Sequence, residues 1–179
     1  GEFIPKGFRW FTEMMNIPLG DFSRGVVDAP SFAVRAQRVA PNICYEDLFG
    51  EELARRFAAD ATAPTMLANL SNIGWFGDTI ATVQHLNISR LRALEFQRPM
   101  IRATNTGATA VIDHRGVVTA MLAPHTRGVL TARVQGRGGI TPYAWWAARA
   151  GLWPPVLLAL LVVGAFALRR PGGAAGRRP

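Results

Sequence analysis

The stretch NICYEDLFG, residues 42–50, holds the chain's one cysteine, with a glutamate two positions after it. Cys44 ends a run of strand type, Val39–Cys44, and precedes a stretch of helix type. A strand-to-helix turn exposes its side chain at the C-terminal edge of a sheet, where α/β sites form. Free backbone N–H groups in the following turns favour the thiolate, the nucleophilic form. Glu46 is close enough in sequence to orient a base or hold a proton. A lone cysteine at a strand end is also often an inert apolar residue. Spacing by itself leaves both readings open.

No other group of residues has the spacing of a reactive or metal-binding centre. C-x-x-C and H-E-x-x-H are absent, and His85, His114 and His125 are scattered, so neither a metal nor a cofactor is expected. A single cysteine rules out an internal disulfide framework. Lys plus Arg number 20 against 12 Asp plus Glu, giving a net charge of +8, and 49% of residues are hydrophobic, enough for a packed core. No basic stripe with interleaved aromatics is visible, so a nucleic-acid partner is not expected.

The elements that must position Cys44 follow from periodicity. Phe32–Val34 and Val39–Cys44 read as short strands, Asp47–Ala59 as a helix, and PTMLANLSN as a strand buried on both faces. In the first helix Leu48, Leu53 and Phe57 fall near one face, with Glu51 and Glu52 early and Arg55 and Arg56 late. Thr79–Glu95 reads as a second helix with Ile80, Val83, Leu86, Leu91 and Leu94 as its apolar positions. Met100–Thr104, Ala108–Asp113, Val117–Leu122 and Val129–Val134 read as strands, with turns at Asn105-Thr106-Gly107 and His114-Arg115-Gly116. A short helix is expected around Phe8–Met15, and Gly136–Gly139 as a flexible link. Strands alternating with helices indicate an α/β fold, its sheet covered on at least one face.

From Leu152 to Leu168, seventeen residues carry no charge. That is the lower edge of what spans a hydrocarbon core of roughly 30 Å. Trp145, Trp146 and Trp153 suit an interfacial belt, and Pro154 and Pro155 suit a first helical turn. Four arginines follow in residues 169–179, against Arg149 alone in the dozen residues before. The basic tail is therefore expected in the cytoplasm, with residues 1–145 across the membrane. The expected division is a domain over 1–145, a membrane-entry segment and span over 146–168, and a disordered basic tail over 169–179. The chain opens on Gly1-Glu2-Phe3, without an initiator methionine or a leader, and is expected to be the C-terminal piece of something longer.

The words PNICYEDLFGEELAR, LANLSNIGWFGDT and QHLNISRLRALEFQRPMIRATNTGATAVIDHRG occur in this order before a Trp-Pro apolar run. Together with the opening Gly-Glu-Phe-Ile-Pro, they resemble the apolipoprotein N-acyltransferases, membrane members of the nitrilase (carbon–nitrogen hydrolase) superfamily. The likeness covers the chain up to about Leu168. It implies a nitrilase-like α-β-β-α sandwich, of which this is the C-terminal part, followed by one transmembrane helix.

The resemblance also implies a Glu–Lys–Cys triad. Its cysteine matches Cys44, while its glutamate and lysine would lie upstream of residue 1, so residues 1–179 alone are expected to be inactive. Glu46 and Glu2 match supporting glutamates. Tyr45, Trp75 and Phe76 would contact substrate, with core packing the alternative for Trp75 and Phe76. Lys6 follows the Gly-Glu pair and does not match the triad lysine. Ile73 stands where many relatives have Asp, so a polar role there does not apply. The implied reaction carries a fatty acyl chain from a membrane phospholipid, through a Cys44 thioester, to the N-terminal amine of a diacylglyceryl-apolipoprotein. The implied location is the periplasmic face of the cell inner membrane, without a cofactor. A membrane-tethered amidase of the nitrilase type and a non-catalytic binding domain are the competing readings.

Overall fold

Among the described residues, β-branched and apolar residues bounded by turns build six strands. They are β1 (Phe32–Val34), β2 (Gln37–Ile43), β3 (Met66–Ser71), β4 (Met100–Thr104), β5 (Ala110–Ile112) and β6 (Val118–Met121). The structure is a computed structural model and describes residues 29–168 with 14, 25 and 26, and only the backbone of Trp75. The strands form one sheet in chain order. β2, β3 and β4 run parallel at its centre, and the remaining neighbours pair antiparallel. The turn after β5 is held by Asp113, whose carboxylate accepts from the N–H groups of Arg115 and Val117, each at 2.9 Å.

Residues 29–168 also form four helices. They are α1 (Gly50–Ala54), α2 (Ile80–Phe96), α3 (Pro142–Ala150) and α4 (Trp153–Leu168). The single helix expected over Asp47–Ala59 is instead a tight turn (Cys44–Leu48), the short α1 and another tight turn (Arg55–Phe57). Phe49, at φ −97° and ψ 76°, breaks the helical path. Gly50 then approaches so near to the Arg92 and Tyr143 side chains that a Cβ has no room. Close approach of α1 to its neighbours, not helix propensity, sets this geometry.

The core lies on one face of the sheet. Ala40, Leu67, Met100 and Ile112 meet Leu53, Ala54, Phe57, Ala93, Phe96, Ala144 and Ala147. Phe57 and Phe96 stack at 4.6 Å, and Tyr143 joins Phe96 at 5.5 Å. The opposite face presents Ile43, Leu70 and Ile101 to the exterior. The strand expected to be buried on both sides, β3, is therefore covered on one side over its C-terminal half.

α2 departs most from its sequence pattern. Its boundaries match within a residue, yet Ile80 is 71% exposed and Val83, Leu91 and Leu94 also face outward. The buried residues are His85, Ser89, Arg92, Ala93 and Phe96. Burying His85 and Ser89 is tolerable because they bond to Asp47, Arg102 and the Cys44 carbonyl, while Arg92 pairs with Glu95 at 2.7 Å on the same helix.

Residues 129–134 form no strand, and Val129 is 89% exposed. The glycine-rich link is anchored rather than loose. Arg137 N–H donates to Thr65 O at 3.0 Å, and the buried Arg98 guanidinium donates to Gly139 O. Thr141 caps α3 by accepting from Ala144 N–H at 3.1 Å. α4 has 16 residues, none buried, and spans about 24 Å. Among the described residues no single helix is long and apolar enough to cross a membrane. α3 and α4 reach that length and apolarity only together, bent by 83°. The expected helix at Phe8–Met15 falls outside the described residues except Met14, which is helical.

Candidate active site

Cys44 follows the last residue of β2 with φ at +53°, a left-handed conformation unusual for a residue with a side chain. It costs roughly 1–2 kcal/mol and needs external support. On one side of the turn, the Glu46 carboxylate accepts from Ile43 N–H at 2.6 Å. On the other, Cys44 O accepts from Asn69 Nδ2 at 2.8 Å and lies 3.1 Å from His85 Nε2. The thiol is 6% exposed, and Ser71 Oγ–H donates to its Sγ at 3.3 Å. Strand register explains these meetings. Asn69 and Ser71 alternate with Leu70 on β3 and point to the helix side, and Asn42 sits opposite Asn69 on β2.

Beneath the turn lies a buried polar network. Asp47 is fully buried and accepts from Ser89 Oγ at 2.5 Å and His85 Nε2 at 3.1 Å. Arg102, on β4, lies 3.7 Å from the Asp47 carboxylate and donates to Ser89 Oγ at 2.5 Å and Ala108 O at 3.1 Å. Its Nη2 is 2.8 Å from His85 Nδ1. A guanidinium has no lone pair to offer, so Nδ1 accepts and the imidazole proton sits on Nε2. Burial pushes the Arg102 guanidinium down from its ordinary value, against the opposing pull of Asp47 and Cys44. Among the described residues no group of three or more His, Cys, Asp or Glu is arranged to hold a metal ion.

The C-terminal ends of the three parallel strands converge. The loop after β3 is tied to the loop after β4: Asn105 Oδ1 accepts from Ile73 N–H at 3.0 Å, and Asn105 Nδ2 donates to Asn72 Oδ1 at 2.7 Å. Ile73 is buried, an apolar plug in that loop. Tyr45, next to the thiol, is partly exposed and meets Phe49 edge-on at 6.3 Å. Phe76 is exposed in the turn Gly74–Phe76; the side chain of Trp75, together with Glu2 and Lys6, lies outside what is described.

Sequence reading missed Asp47, Asn69, Ser71, His85, Ser89 and Arg102. A signal was available on the strands: Asn42, Asn69, Ser71 and Arg102 fall on the alternation that faces the core. His85 and Ser89 had a weaker signal, the i, i+4 spacing of polar residues on one helix face.

A family model, "Carbon-nitrogen hydrolase", matches residues 9–143. Curated relatives include apolipoprotein N-acyltransferases from three bacteria. That of Verminephrobacter eiseniae is 67% identical over 85% of this chain and 30% of its own length. That of Ralstonia nicotianae is 57% identical over 98% and 33%. That of Bordetella bronchiseptica is 51% identical over 100% and 31%. The chain spans about a third of the length of these relatives. With three quarters of its residues matched by the family model, and a cysteine held at the C-terminal edge of parallel strands, the chain belongs to the carbon–nitrogen hydrolase family.

Proposed function

We propose that this chain carries the nucleophile of an apolipoprotein N-acyltransferase. The Cys44 thiolate adds to the ester carbonyl carbon of a membrane phospholipid. The C–O bond breaks, and the lysophospholipid alkoxide leaves with a proton. The α-amine of a diacylglyceryl-cysteine at a lipoprotein N-terminus then attacks the thioester, the C–S bond breaks, and the amine's proton returns to the thiolate. Two easier steps replace one difficult step. The observation that carries this reading is Cys44 itself: left-handed, at the end of a central parallel strand, its Sγ against a serine hydroxyl and its carbonyl held by side chains.

The triad glutamate and lysine, as base and oxyanion stabiliser, belong in this reading to sequence upstream, in the two thirds of the relatives' length that this chain does not match. The apolar outer face of the sheet supports the same division, because an α/β sheet buries both faces and a second sheet would cover this one. Glu46 shapes the nucleophile's turn. Glu2 is a further supporting carboxylate, and Tyr45, Trp75 and Phe76 border the acyl chain. Residues 1–145 form part of the catalytic domain and 146–168 the membrane-entry segment and span. Residues 169–179 are a basic tail on the cytoplasmic side, which puts the thiol at the periplasmic face of the inner membrane, at the depth of two lipid substrates.

The test is mass spectrometry of the intact protein incubated with phospholipid and no acceptor. One added acyl group on Cys44, labile to hydroxylamine and absent from Cys44→Ala, is expected. Release of free fatty acid without transfer to a diacylglyceryl peptide would make the protein a hydrolase. An unmodified Cys44 would return it to a packing role.

A further inference from the structure

We infer that His85 is a positioning residue for Cys44, acting with Asn69 to lock the nucleophile's left-handed backbone through its carbonyl. The inference rests on the reading of Cys44 as nucleophile. Released from its supports, a residue at φ +53° relaxes toward the ordinary β or right-handed regions. That rotation swings the side chain and takes Sγ from Ser71 Oγ, 3.3 Å away. The Cys44 carbonyl turns with the same backbone, so donors fixed on that oxygen oppose the rotation. Two are present, from different elements: Asn69 Nδ2 from β3 at 2.8 Å and His85 Nε2 from α2 at 3.1 Å.

The direction of the His85 donor is itself set. Arg102 Nη2, 2.8 Å from Nδ1, forces the proton onto Nε2, where it is shared between Cys44 O and Asp47 Oδ1. Ser89 and Arg102 hold Asp47 in turn. Stability does not account for these residues. A buried ion pair with its polar partners contributes little over well-packed apolar side chains of similar volume. Their shared product is one imidazole N–H aimed at the nucleophile's carbonyl.

Three variants of the intact protein test this, each with its thermal midpoint recorded. His85→Leu fills the space and donates nothing; His85→Gln keeps an amide N–H at similar reach; His85→Asn keeps the amide but shortens it. For His85→Leu, kcat for Cys44 acylation by phospholipid vesicles is expected to fall about 10- to 100-fold, with KM within about twofold. His85→Gln recovers most of that loss. His85→Asn behaves as His85→Leu and serves in its stead if the leucine variant does not accumulate. Wild-type kcat in a folded His85→Leu overturns the inference. So does a His85→Gln that falls as far as leucine, or loss of folding together with activity in all three. If wild type itself gains no acyl group, the acyl-transfer reading fails, and the geometry is judged on a structure of the leucine or asparagine variant. There Cys44 φ is expected to leave the left-handed region and Sγ to move out of reach of the Ser71 hydroxyl; an unchanged φ overturns the inference.

Discussion

Asp47 and Arg102 provide a test of how the polar network under Cys44 is held together. Both side chains are fully buried, and the closest carboxylate–guanidinium approach is 3.7 Å. Two unit charges at that separation interact by about 4 kcal/mol at an effective dielectric constant of about 20. Asp47→Asn keeps the shape and an acceptor for Ser89 but leaves the guanidinium without a buried counter-charge, so a loss of about 3–5 kcal/mol is expected. Arg102→Met leaves the carboxylate its bonds from Ser89 and His85, and a loss of about 3 kcal/mol is expected. The double variant removes both charges, so it should lose less than the sum of the two by about 3 kcal/mol. The assay is urea unfolding of the intact protein in detergent, followed by tryptophan fluorescence, on all four members of the cycle. Additive losses, or singles each below about 1 kcal/mol, would refute the view that these charges compensate each other in a dry interior.

Phe96→Ala removes a fully buried ring that stacks on Phe57 and touches Tyr143, and should cost about 3–5 kcal/mol in the same unfolding assay. Gly77 has φ +58° and ψ −155° with open space where a Cβ would project, so Gly77→Ala should cost about 1–3 kcal/mol from backbone strain alone. Burial pushes the Asp113 carboxyl up, but the N–H groups of Val117 and Arg115 and the Arg115 guanidinium outweigh it and hold it below its ordinary value. Because the folded value is depressed, its contribution is present above the unfolded value of about 3.9 and is lost as pH falls through the lower folded value. Asp113→Ala should cost about 1 kcal/mol at neutral pH and flatten the acid limb of a stability–pH curve below about pH 4.

Local sequence already determined much of this protein. The strands Phe32–Val34 and Met100–Thr104 stand where β-branched runs between turn residues put them, and α2 begins and ends within a residue of its periodic stretch. Cys44 was legible as a strand-end residue, and the family was legible in the words around it, because turn chemistry and short motifs are local properties. The left-handed backbone at Cys44 was not legible, since it depends on Asn69 and His85, 25 and 41 residues away. Nor was the inward face of α2. Periodicity counts apolar residues, and by that count Ile80, Val83, Leu91 and Leu94 should be inside. They lie outside because His85 and Ser89 face Asp47 and Arg102 across the sheet–helix interface, and only tertiary contact lets four polar side chains satisfy one another away from water. The break of the first helix at Phe49 has a similar origin, with Gly50 admitting α1 against Arg92 and Tyr143 from two other helices. Composition and spacing decided most of the elements, but not the strand expected over 129–134 or the unbroken helix expected over Asp47–Ala59. Which side of each faces the nucleophile was decided by hydrogen bonds and close approaches between residues far apart in the chain.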